Sequence, residues 1–169
     1  MRRFPVRSVA IALAGLVFSV QAWALERPQL HFDKRIWQPA SRAHLGNHIL
    51  VEYTLAGETV EKWSELVTAQ LFVGLHEQLT AAQFLERTKQ ELEQTTSHVT
   101  WQVLRQSERD ILYESSVAGD PKMPDRHELA RVIVGQEGIH VIRYATKGAR
   151  LPKPKRQEWI ALLEAVQLL

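Results

Sequence analysis

The chain has 169 residues, with 21 Lys+Arg against 19 Asp+Glu and no cysteine. The missing cysteine excludes a disulfide scaffold, a cysteine nucleophile and a lipid-modified N-terminal cysteine. A formal net charge of only +2 gives no general affinity for nucleic acid.

Arg2, Arg3 and Arg7 open the chain, an uncharged apolar run follows from Val9 to Val20, and Ala22-Trp23-Ala24 closes the segment. This is the layout of a secretory signal peptide over residues 1–24. The run falls short of the roughly 20 residues of a membrane span. The expectation is a periplasmic or secreted protein of one domain, 25–169, with no stable transmembrane anchor after cleavage. Without the leader, 18 Lys+Arg face 19 Asp+Glu, so the basic character of the full chain owes much to the leader.

The stretch from Leu25 to Gly46 shows little periodicity. It predicts a strand near Leu30–Phe32 and a loop through Pro39-Ala40-Ser41. His48–Thr54 alternates as a strand does, and Ala56-Gly57 ends it. Leu66–Val73 is a second strand, with Val67, Ala69, Leu71 and Val73 on one face; a short helical turn over Val60–Leu66 is the alternative for its approach. Thr80–Gln94 reads as a helix, with Ala81, Phe84, Leu85, Thr88 and Leu92 on one side. Thr80 and Gln83 make a capping box, and Leu79 with Phe84 a hydrophobic staple.

Period-two alternation returns at Val99, Trp101 and Val103 and again at Ile111, Tyr113, Ser115 and Val117, across the polar turn Ser107–Asp110. Gly119–Pro124 is a loop, because its two prolines cannot sit inside a sheet. Leu129–Val134 and Ile139–Thr146 form a hairpin around Gly135–Gly138. The run Val132-Ile133-Val134 suits a central strand covered on both faces. A Pro- and Lys-rich connector, Arg150–Arg156, leads into a closing helix over Pro154–Leu169.

An antiparallel sheet flanked by helices is an α+β sandwich. This element order is similar to the PsbP/Mog1-like fold, which includes small exported bacterial proteins of the DcrB type; the resemblance implies a fold and carries no functional motif. Glu52-Tyr53 and the run Gly57-Glu58-Thr59-Val60-Glu61-Lys62-Trp63-Ser64-Glu65-Leu66-Val67-Thr68 resemble the opening of a group of small, uncharacterised exported bacterial proteins.

Catalytic motifs are absent from the sequence. There is no Gly-x-Ser-x-Gly elbow, no His-Glu-x-x-His pair and no Gly-rich phosphate loop. The seven histidines are dispersed; His127-Glu128 and His140 lie on adjacent predicted strands but read as a polar sheet edge. Neither a metal nor a cofactor is implied.

Charge is unevenly spread: eleven acids against five Lys/Arg from Glu52 to Glu114, and eight Lys/Arg against two acids from Arg126 to Arg156. The two blocks either neutralise each other in the fold or orient a partner. Lys147, Arg150, Lys153, Lys155 and Arg156 precede or open the last helix, where the macrodipole disfavours cations. They are candidate contacts for an anion or for an envelope protein, and Lys153, Lys155 and Arg156, as parts of a solvated connector, should tolerate charge reversal. Trp63, among Glu58, Glu61, Lys62 and Glu65, either plugs its segment onto the core or is an aromatic anchor. The expected function is a non-catalytic binding or interaction module of the bacterial cell envelope. The alternatives are a small-ligand or lipid carrier with a pocket between helix and sheet, and an enzyme with a polar cleft near Glu52, Trp63 and His127.

Overall fold

The computed structural model describes residues 25–169, so the expected leader lies outside the described residues. The strands are β1 (Pro28–Gln29), β2 (Trp37–Leu45), β3 (His48–Leu55), β4 (Glu65–Val73), β5 (Val99–Gln106), β6 (Asp110–Val117), β7 (Arg126–Val134), β8 (Gly138–Lys147) and β9 (Gln167–Leu168). Helix α1 spans Ala81–Thr95, between β4 and β5, and α2 spans Lys153–Glu164, between β8 and β9. Seven strands form one antiparallel sheet in the order β2-β3-β4-β8-β7-β6-β5, and β1 pairs with β9 beside it.

Side chains alternate across this sheet, and each face carries one helix. Ile111, Tyr113, Ala130, Val132, Ile139 and Val141 project towards α1 and pack with Ala81, Phe84 and Leu85. Leu112, Leu129, Ile142 and Tyr144 project the other way and pack with Trp159, Leu163 and Val166. On that second face Tyr144 stacks on Trp159 with ring centroids 3.8 Å apart, and Trp37 meets Trp159 edge-on at 5.5 Å. The start of α1 follows its sequence signals: the Gln83 amide donates to the Thr80 hydroxyl, and the Thr80 amide to the Gln83 side chain.

Strand accounts for 45% of the described residues and helix for 21%, with two α-helices in all. The fold is therefore mainly β, which overturns the expected α+β, PsbP/Mog1-like sandwich. The added strand comes from segments whose patterning is weak. Pro39-Ala40-Ser41 lies inside edge strand β2, not in a loop; the register shifts between Pro39 and Ser41, and that bulge on an edge accommodates a residue without an amide donor. Leu30–Phe32 is irregular, and the first strand is Pro28–Gln29 instead. The closing helix ends at Glu164, so Gln167–Leu168 is free to pair with that strand.

Candidate functional site

One row of paired residues crosses the sheet at the centre of the α1 face: Ser41, Glu52, Thr68, Arg143, Ala130, Tyr113 and Val103 lie opposite one another on successive strands. Arg143 of β8, the fourth of the seven strands, therefore points into the layer between sheet and helix. Its row neighbour Ala130 is small, and fills little of that layer. The first turns of α1 bury Ala81, Phe84 and Leu85 on the sheet, whereas Thr88, Glu91, Leu92 and Thr95 are less buried. A crevice opens below this second half of the helix.

Arg143, Thr88 and Glu91 divide the crevice into two hollows. One, of about 300 Å³, is bounded by Trp101, Tyr113, Arg126 and Glu128. The other, of about 350 Å³, is bounded by Gln70, Phe72, Leu75 and Phe84. Arg143 is half-buried, its Nε is fully buried with no hydrogen-bond partner, and among the described residues its guanidinium makes no ion pair. Arg stays protonated in proteins, so the charge cannot be relieved by losing a proton. Trp101 Nε1 and Gln70 Oε1 are also buried without partners. The neighbouring cation is already paired: Arg126 Nε lies 3.1 Å from Glu128 Oε1. Burial pushes the Tyr113 hydroxyl up from its ordinary pKa, so it is a neutral phenol at physiological pH.

The opposite face carries ion pairs that dock α2. Glu65 accepts from Arg35 at 2.6 and 2.8 Å, from Lys155 at 2.5 Å and from the Tyr144 hydroxyl at 2.5 Å. Burial raises the Glu65 pKa, but these donors outweigh it and hold the carboxyl at about 2. Glu114 accepts from Arg156 Nε at 2.8 Å and Nη2 at 2.5 Å, and lies 2.7 Å from His127 Nε2. Burial again opposes the shift, and the Arg156 and His127 bonds hold Glu114 below its usual range. His127 Nδ1 lies 3.2 Å from the Ala149 carbonyl, so both ring nitrogens face acceptors.

The five cations of the connector are thus separated. Lys155 and Arg156 are half-buried and committed to Glu65 and Glu114, which is where the acidic and basic blocks of the sequence meet. They are not part of a solvated connector. Lys147 Nζ lies 5.2 Å from the centre of the Trp63 ring. Arg150 lines an open groove of about 490 Å³ with His127, Ser115 and Ser116. Lys153 is exposed at the first position of α2 and makes no ion pair among the described residues. Trp63 is half-buried in the β3–β4 connection. Glu52 and His127 are not brought together: β4 and β8 lie between their strands, and their side chains leave opposite faces of the sheet. Among the described residues, no three His, Asp or Glu side chains gather as a metal site.

Sequence reasoning had passed over Arg143. The signal was present: in Ile139, Val141, Arg143 and Ala145 a cation occupies an inward position of an otherwise apolar alternation. Thr88 and Glu91 gave no such sign, because they resemble any polar flank of an amphipathic helix.

A protein-family model matches residues 25–167, and the chain belongs to that family, an uncharacterised one. No curated protein matches the chain.

Proposed function

We propose that this member of an uncharacterised family is a non-catalytic binding module of the bacterial cell envelope, and that it takes a small polar ligand in the crevice beneath α1. The observation that carries the reading is the Arg143 guanidinium: a permanent charge held in a crevice, with a buried donor that no protein group accepts from. The Tyr113 hydroxyl and the Glu128 and Glu91 carboxylates favour the charge itself, but a buried donor left without an acceptor costs about 1–3 kcal/mol, and a pocket with a few convergent polar groups is the usual form of a ligand site. This favours the small-ligand carrier over a flat interaction surface. The same reading takes the connector for a docking element of α2, since two of its five cations are committed to the fold. Export rests on the leader at residues 1–24, and the expected compartment is the periplasm or the medium.

Equilibrium dialysis of the purified protein against a small-molecule extract of the cell envelope tests this reading. The extract is the natural pool of candidate ligands, and mass spectrometry reads what the protein retains. The protein should enrich a small set of compounds that Arg143→Met does not. Equal enrichment by both proteins, or none by either, would overturn the crevice as a ligand site.

A further inference from the structure

The two hollows differ in chemistry, and the difference narrows the ligand. Resting on the small-ligand reading above, we propose that the crevice selects a small amphipathic organic carboxylate, seated on Arg143 with its apolar body against Phe72, Leu75 and Phe84.

Charge decides the head group. Arg87, Arg126 and Arg143 face Glu91 and Glu128 around the crevice, a surplus of one positive charge. Since Arg126 and Glu128 already pair at 3.1 Å, the surplus centres on Arg143 and Arg87, with Glu91 as the opposing rim charge. A single negative charge neutralises it. A dianionic phosphate leaves an excess negative charge close to Glu91 and Glu128. Arg143 offers a planar fork that matches the two oxygens of a carboxylate. The buried Trp101 Nε1 and Arg143 Nε are both donors without acceptors, and both edge the same hollow. An acceptor-rich head satisfies them; a cationic head does not.

The second hollow decides the body. Beyond Arg143, Phe72, Leu75, Leu79 and Phe84 form an apolar wall beside the polar Gln70 and Arg87, and Phe72 meets Phe84 in a tilted pair with centroids 5.3 Å apart. Its volume of about 350 Å³ fits a single ring or a short chain. A bare anion leaves this wall unused, and a long acyl chain exceeds it.

Four probes separate the possibilities by titration calorimetry, with backbone amide NMR to locate the site: 3-phenylpropionate, its neutral amide 3-phenylpropionamide, acetate and inorganic phosphate. The carboxylate should bind at least tenfold more tightly than the amide and than acetate, with shifts at Thr88, Glu91, Trp101 and Arg143. In Arg143→Met the acid-to-amide ratio should fall to within twofold. Glu91→Gln changes an exposed residue whose side chain makes no ion pair among the described residues and which opposes Arg143 only at a distance; it should tighten the acid two- to fivefold and leave the amide unchanged. That variant keeps the test decisive if Arg143→Met fails to fold. Equal binding of acid and amide, or phosphate as the best probe, would overturn the carboxylate assignment while leaving the small-ligand reading in place. If no probe moves crevice resonances, and dialysis against the envelope extract also enriches nothing, both fall.

Discussion

Arg131 of β7 reaches under the end of α2 and donates from Nη1 to the Leu163 carbonyl at 2.8 Å. The same nitrogen donates to the carbonyls of Glu164 at 3.0 Å and Val166 at 2.9 Å. The other side of the guanidinium pairs with Asp110, at 3.0 Å from Nε and 2.5 Å from Nη2. A cation from the sheet thus satisfies carbonyls that a helix C-terminus leaves without partners. Arg131→Leu strands those carbonyls and the Asp110 carboxylate together. It should cost about 2–4 kcal/mol in denaturant unfolding, somewhat below the roughly 3–5 kcal/mol for breaking a fully buried pair on one side, because Asp110 is partly exposed. A loss below about 1 kcal/mol would mean that water replaces Arg131 freely.

Arg156 and Lys153 are three residues apart and should respond unequally to charge reversal. Arg156→Glu sets two carboxylates against each other at Glu114 and should cost about 1–3 kcal/mol. Lys153→Glu should stay within about 0.5 kcal/mol, as most exposed substitutions do. Urea titration of the two variants measures this, and equal losses would contradict the docking role given to Arg156.

Glu65 links stability to acid. Its carboxyl is held at about 2, against an ordinary value of 4.5. A lowered pKa stabilises the fold fully above about 4.5, and the contribution disappears as pH falls towards 2. After discounting for solvent, this is on the order of 2 kcal/mol. Stability of the unmodified protein should therefore fall through that window. Glu65→Gln should start lower and show a shallower decline, by chemical unfolding at stepped pH. Parallel curves for the two proteins would show that Glu65 titrates alike in both states.

Gly135 admits the N-terminal segment. A Cβ there would lie 1.9 Å from the Glu26 carboxylate oxygen, which accepts from the Gln136 amide at 2.9 Å and lies 3.3 Å from His140 Nε2. Gly135→Ala should expel Glu26 and loosen β1 from β9. Hydrogen exchange at Gln29 and Leu169 should accelerate at least tenfold, while exchange in β7 and β8 changes little. Unchanged protection at both amides would show that the segment is held without this contact.

The strongly patterned elements were legible from the sequence. Thr80 with Gln83 and Leu79 with Phe84 mark the start of α1 with two local signals, a capping box and a hydrophobic staple, and the glycines at 135 and 138 mark the β7–β8 turn. Edge strand β2 was not legible, because a proline and a bulge interrupt its alternation and its pairing partner decides its state. Gln167–Leu168 reads as the last turn of an amphipathic helix until β1 lies beside it. The crevice was half legible. The inward position of Arg143 follows from period two, but the width of the gap above it depends on where α1 lifts from the sheet, and tertiary packing sets that. The connector misled for a similar reason: five cations near a helix start invite an external anion, and only the fold brings Glu65 and Glu114 to two of them.

The central claim is that a small ligand is held at Arg143 under α1. The most direct measurement is a chemical-shift map of the protein, recorded as the compounds enriched by dialysis are added. The largest changes should fall on the Trp101 indole, the Arg143 Nε–H and the amides of Thr88 and Glu91. Largest changes at Lys147, Arg150 and Lys153 would place the ligand on the connector and contradict the claim.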